Sequence, residues 1–198
     1  MRRKDFIFEY RKEIENMLNK IEFGVIAIPD KIPYAVPISF CYKENEIYFH
    51  GAMAGRKHEL LKNNPEVSFS ASKVYSYIPS SFLNGKMTPT QFFFSIFIEG
   101  KFEVVNDFEK KKKILRELVR KYEPENINMS MDKGQFKGSE IHTFVGVIKI
   151  YNITAKAKFG QNMSDSDINI IINDLKNRNE KRDIETIEMI NKLRDKNI

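Results

Sequence analysis

The sequence has no tryptophan, one cysteine and three histidines. It also has no apolar run near the ~18 residues that a membrane-spanning helix needs. Each shortage excludes something. A single cysteine, Cys41, rules out an internal disulfide and any multi-cysteine metal site. His50, His58 and His142 share no ligand-like spacing, so no metal centre is expected. There is no G-x-G-x-x-G dinucleotide fingerprint. Gly51-Ala52-Met53-Ala54-Gly55-Arg56-Lys57 is not a Walker A loop either, because its spacing is wrong and no Ser or Thr follows the lysine. The start, Met1-Arg2-Arg3-Lys4, is basic but lacks the apolar segment of a signal peptide. A soluble cytoplasmic protein is the expectation.

What is present fits a packed globular chain. Of 198 residues, 41% are hydrophobic, and 16 Phe make the core phenylalanine-rich. That length suits one domain with a helical appendage. The net charge of +6 is modest. The run Lys110 to Lys113 has no interleaved aromatics for base stacking, so it reads as a solvated helix face rather than a nucleic-acid patch.

Periodicity places the elements. Helical spacing runs from Glu9 to Ile21. Short apolar strands are predicted at 23–28, 34–42 and 46–50, and longer ones at 66–77, 92–105 and 142–155. A helix is predicted over 55–64 and another from Asn106, read as its N-cap. Pro79 to Gln91 reads as a mobile loop, long enough to cover a site or reach a partner subunit. Pro124 to Ser139 reads as irregular. Ser164 with Asp167 opens a helix, and a second helix is predicted from Asp183 to Lys196.

The chemistry concentrates between Tyr34 and Asn64. Pro37 cannot donate to a ladder, so its strand is either an edge or a surface for a ligand. After His50 comes a loop with Gly51 and Gly55, then Arg56 and Lys57 at the start of a helix. Unpaired backbone N–H groups beside two cations suit a phosphate. His50, at a strand end beside that loop, is a candidate for proton transfer or for a structural hydrogen bond.

Val36-Pro37-Ile38-Ser39-Phe40, then Ile47-Tyr48-Phe49-His50-Gly51-Ala52, then Gly55-Arg56-Lys57-His58-Glu59-Leu60-Leu61 resembles the FMN-binding split-barrel superfamily, which includes pyridoxamine 5'-phosphate oxidase. The nitroimidazole-resistance type of flavoprotein is the nearest likeness. The resemblance implies a mainly β (α+β) fold: a six-stranded antiparallel split β-barrel over 1–160 with flanking helices, and a C-terminal helical pair over 161–198. It implies a homodimer with FMN at the subunit interface. Pro37, Ile38 and Ser39 would meet the ring; His50, Gly51, Ala52, Gly55, Arg56 and Lys57 would lie at the phosphate end; and Ser95 would stand near the flavin. Gln161 and Asn162 fall in a K-x-x-Q-N run that lies near the cofactor in similar proteins, though they could equally cap a turn. Ala155 departs from the glycine of the family's Ile-Thr-Gly-Lys signal. The implied activity is electron transfer from a reduced nicotinamide or flavin donor to a small acceptor such as a nitro-aromatic compound. An FMN carrier, sensor or regulator is the alternative, with haem binding behind it. The arginine-rich C-terminal signature of pyridoxamine-phosphate oxidases is absent.

Overall fold

The computed structural model describes residues 4–126 and 130–194. Its strands are β1 (Ile7–Phe8), β2 (Phe23–Ile28), β3 (Tyr34–Ser39), β4 (Cys41–Lys43), β5 (Glu46–Gly51), β6 (Glu66–Ile78), β7 (Thr90–Val104) and β8 (Phe144–Lys158). Its helices are α1 (Arg11–Lys20), α2 (Arg56–Leu61), α3 (Phe82–Gly85), α4 (Phe108–Tyr122), α5 (Ser139–His142), α6 (Asp165–Arg178) and α7 (Lys181–Arg194). The strand order is β3-β2-β6-β7-β8-β5-β4, with β1 added to β8. The β2–β3, β2–β6, β4–β5, β5–β8 and β1–β8 pairs are all antiparallel.

The expected six strands are therefore eight, in a sheet that is not closed. The reason is local. The predicted strand 34–42 breaks at Phe40, whose backbone is taken by a side chain from α4. The Phe40 N–H donates to the Tyr122 hydroxyl (2.9 Å), and that hydroxyl lies within donating distance of the carbonyls of Phe40 (3.0 Å) and Glu22 (2.5 Å). A hydroxyl that substitutes for ladder partners ends one strand and starts the next. The short β1 supplies the other extra strand.

The chain divides into two compact units. One comprises 15–71 and 97–153; the other comprises the segments up to Ile14, Ser72–Ile96 and onward from Thr154. The first has a phenylalanine core. Phe40 meets Phe69 edge-on at 4.9 Å, and Phe49 lies 5.6 Å from Phe102. Two glycines make room for these rings. A Cβ at Gly24 would stand 2.0 Å from the Phe69 ring, and one at Gly146 would stand 2.2 Å from the Phe102 ring. The α4 helix buries Ile114, Leu115 and Leu118 against Cys41, Tyr48, Val145 and Val147. Its N-cap is Asp107, not Asn106: the Asp107 carboxylate accepts from the Lys110 N–H. The solvated lysine run needs a similar correction. Lys111 is buried, and its ammonium donates to the carbonyls of Glu140 (3.1 Å) and Thr143 (3.2 Å). Lysine reaches such a place because its stem is apolar and carbonyls satisfy its donors.

In the other unit, Phe8 packs on Phe94 at 5.0 Å, and Phe159 packs on Tyr75 and Phe92. The Ser164 hydroxyl accepts from the Asp167 N–H, opening α6 as predicted. A buried polar network joins β6 to the final helices. Asp183, 1% exposed, accepts from Ser76 and is forked by Arg178 (2.6 and 2.9 Å). Thr186 accepts from the Ser76 N–H at 3.0 Å. The stretch 79–91, expected to be a mobile loop, is instead pinned to α6. It contains α3, the Leu83 N–H donates to Asp174 at 2.9 Å, and Arg178 lies 5.1 Å over the Phe82 ring. The last helix runs Lys181–Arg194; the predicted end at Lys196 lies outside the described residues.

Candidate functional site

Strand β3 stands at one end of the sheet order, where a proline is tolerated. In register, Phe23 faces Ser39, Val25 faces Pro37 and Ala27 faces Ala35. Partners across an antiparallel pair share a side of the sheet. Phe23 (60% exposed), Val25, Ala35 and Pro37 thus form one outward apolar face. Ser39 is half-buried on the same side, whereas Ile38 is a core residue that can offer only its backbone to a ligand.

Strand β5 ends at Gly51, and Ala52 to Gly55 form an exposed bend. Gly55 has φ 97°, a backbone region that side chains disfavour, and it caps α2 without a side-chain hydrogen bond. With only six residues, α2 has little dipole, so the weight falls on the side chains. The two cations differ. Arg56 is already engaged: it bonds the Asp30 carboxylate through Nη2 (2.8 Å) and Nε (3.2 Å), and its guanidinium lies 4.5 Å from the Tyr34 ring centre. That clasp ties the start of α2 to the β2–β3 turn and holds the Asp30 carboxyl below its ordinary value.

Lys57 is the opposite case. Its side chain turns back over β5, half-buried, 5.7 Å from the Phe49 ring centre. A Cβ at Gly51 would stand 3.0 Å from its ammonium nitrogen. No carboxylate pairs with it among the described residues, and burial lowers its pKa from the ordinary lysine value. His50, an exposed residue at the strand end, is also held below its ordinary pKa, first by partial desolvation from its neighbours and then by the positive charge of Lys57. A half-desolvated cation with no counter-ion among the described residues, beside an imidazole whose pKa is lowered and a glycine backbone, fits an incoming anion. A separate groove lined by Ala27, Pro33, Ser68, Glu66, Glu99 and Tyr151, of about 300 Å³, has the wrong sign of charge for a phosphate.

This observation answers whether the residues fit the phosphate end of a flavin: Lys57, His50 and Gly51 do. Arg56 is adjacent but committed to Asp30. Ser95, Gln161 and Asn162 belong to the other unit. Ser95 is half-buried on β7. The Gln161 amide braces its own turn, accepting from the Phe159 N–H (2.7 Å) and donating to the Ala157 carbonyl (2.6 Å). Asn162 is exposed and lines a cavity. Cys41 is chemically quiet, because burial pushes its thiol up to about 12. The sequence reading missed Asp30 and Tyr34 as the partners of Arg56, although an acidic residue in the turn before the proline strand was visible.

The strand–glycine bend–helix arrangement lies inside a region, residues 10–156, that matches the family model described as pyridoxamine 5'-phosphate oxidase. The chain belongs to that family. No curated protein sequence matches it. Several solved structures share the family's fold. A candidate 5-nitroimidazole antibiotic resistance protein from Bacteroides thetaiotaomicron VPI-5482 is 22% identical, with a TM-score of 0.61 over 76% of this chain and 85% of that one. The flavocytochrome Anf3 from Azotobacter vinelandii is 20% identical, TM-score 0.67, over 81% and 72%. The FAD and heme binding protein from Mycobacterium smegmatis is 18% identical, TM-score 0.68, over 82% and 78%. At these identities the likeness speaks for the fold alone.

Proposed function

We propose that this protein is a cytoplasmic FMN-binding oxidoreductase. In this reading it passes electrons from a reduced nicotinamide or flavin donor to a small acceptor such as a nitro-aromatic compound. The observation that carries the reading is Lys57, a half-buried ammonium beside Gly51 and His50 with no carboxylate partner among the described residues. The descriptions of two similar structures as a flavocytochrome and an FAD- and haem-binding protein support a flavin over other phosphate-bearing ligands.

Lys57 would hold the terminal phosphate. The outward face of β2 and β3, with Pro37 contributing no N–H, would lie against the flat ring. His50, its pKa lowered by desolvation and by Lys57, would accept a proton at its imidazole or hold one for the acceptor. Bound flavin supplies the redox chemistry, which no side chain here can perform. The same exposed face, including Phe23 and Val25, supports a homodimer in which a second copy covers the ring and the sheet edge. The six-stranded antiparallel split barrel belongs to this proposal: with β3 and β4 taken as one bent strand and β1 set aside, six strands remain.

The test is direct. The purified protein should show flavin absorbance, and mass spectrometry should identify the released ligand as FMN. NADH or NADPH should then bleach that absorbance, and a nitro-aromatic acceptor should restore it. A yellow protein that neither donor reduces is a flavin carrier or sensor. A colourless protein that does not take up added FMN defeats the reading altogether.

A further inference from the structure

The unit that contains α4 holds a cavity of about 300 Å³ where the end of α1, β4 and the last turns of α4 meet. That volume is at the lower end for small-molecule sites. Two nucleophiles line it, Cys41 and Lys121. Lys121 is half-buried, and its side-chain nitrogen lies 3.9 Å from the Phe40 ring centre. It donates to the backbone carbonyls of Ile21 (2.6 Å) and Leu18 (3.1 Å). Among the described residues no carboxylate pairs with it. A neutral amine still has two N–H groups, so both carbonyls stay served when the extra proton is lost.

Burial acts oppositely on the two nucleophiles, because desolvation disfavours whichever form is charged. The reactive form of a thiol is the charged one, and burial pushes Cys41 up to about 12. The reactive form of an amine is the neutral one, and burial brings Lys121 down to about 8, against weaker upward pulls from Cys41 and Glu22. The cavity therefore silences its sulfur and frees its nitrogen. The other charged groups on its lining are Lys43 on β4 and Glu117 and Arg120 on α4. Lys43 and Arg120 share one carboxylate oxygen of Glu117, at 3.1 and 3.3 Å. Two cations on one carboxylate leave this lining positive even with Lys121 neutral.

We propose that Lys121 captures a small aldehyde bearing a carboxylate and holds it in this cavity as an imine, with the carboxylate toward Lys43 and Arg120. The amine nitrogen attacks the aldehyde carbon and forms the C–N bond. The carbonyl oxygen leaves as water with both amine protons. Proton uptake then gives the iminium, whose single N–H remains for the Ile21 carbonyl. The step needs no oxidant or reductant. The cavity shares no residue with the candidate flavin site, so the proposal stands or falls apart from the flavin reading.

Incubation of the full chain with para-formylbenzoate and cyanoborohydride tests it, since the hydride converts an imine to a stable secondary amine. Peptide mapping by mass spectrometry then locates the label. Near neutral pH, Lys121 is expected to be labelled ahead of every other lysine. Its labelling should rise with pH around a midpoint of about 8, whereas an ordinary lysine has its midpoint at about 10.4. Mapping distinguishes it from the α-amino group, which also titrates near pH ~8. Lys43→Gln, at the exposed mouth, should slow labelling by formylbenzoate about threefold, the weight of one exposed charge pair, and hardly alter labelling by the uncharged formylbenzamide. Lys121→Arg keeps donors for both carbonyls and should remove the fast labelling. Labelling of Lys121 no faster than of exposed lysines, equal rates with formylbenzoate and formylbenzamide, or protection of Lys121 by added FMN each overturns the proposal.

Discussion

Replacing Lys57 by Met separates a cofactor lysine from a structural one. Methionine keeps most of the stem that lies along Phe49 and deletes only the charge. A charge-assisted hydrogen bond is worth about 1.5–3 kcal/mol, and Lys57 is only half-buried, so the lower part of that range applies. At ~1.4 kcal/mol per factor of ten, FMN should bind about 10- to 30-fold more weakly. Riboflavin, which lacks the phosphate, should bind the variant as it binds the parent. The apo-protein should not lose stability, because a half-desolvated charge with no counter-ion among the described residues is unfavourable to fold around. The His50 pKa should rise toward its ordinary value once the neighbouring positive charge is gone. With only three histidines in the chain, a proton NMR titration resolves that shift directly. The linked stability has a definite sign. A histidine with a depressed pKa binds fewer protons folded than unfolded, so stability falls as pH drops through and below about 6.5. The variant should show a shallower fall in the same window. Equal losses of FMN and riboflavin affinity, with an unmoved His50 titration, would refute the phosphate assignment.

Two further outcomes concern the frame. Tyr122→Phe removes the hydroxyl that serves both backbone groups of Phe40; leaving them unpaired should cost about 1–3 kcal/mol, read as a lower denaturant midpoint. Asp183→Ala strands Arg178 and Ser76 in the other unit; breaking a buried pair on one side should cost about 3–5 kcal/mol, and hydrogen exchange should rise first in α6, α7 and the adjoining part of β6.

Much of the frame was legible because it obeys short-range rules. Alternation in β3, β5 and β7 told which side chains turn inward, and Ile38, Phe49 and Phe94 are buried accordingly. The Ser164 cap was readable because its partner is three residues away. What failed depended on residues far along the chain. The break at Phe40 needs Tyr122, and the burial of Lys111 needs carbonyls near residue 140. Asn106 and Asp107 are both good caps, and propensity alone cannot choose between neighbours. At the candidate site, adjacency of Arg56 and Lys57 marked two cations for one anion, but sequence order could not reveal that Asp30 holds the first while the second meets no carboxylate among the described residues.

The bare backbones beneath Phe69 and Phe102 tie the fate of distant positions together. A methyl group added at Gly24 or Gly146 has nowhere to go while the aromatic ring stays, and a shrunken ring leaves a hole while the glycine stays. Each change alone damages the sheet and its phenylalanine core, yet the two made jointly can restore its volume. Randomising any one of these four positions by itself will therefore make it look intolerant, when the tolerance belongs to the couple.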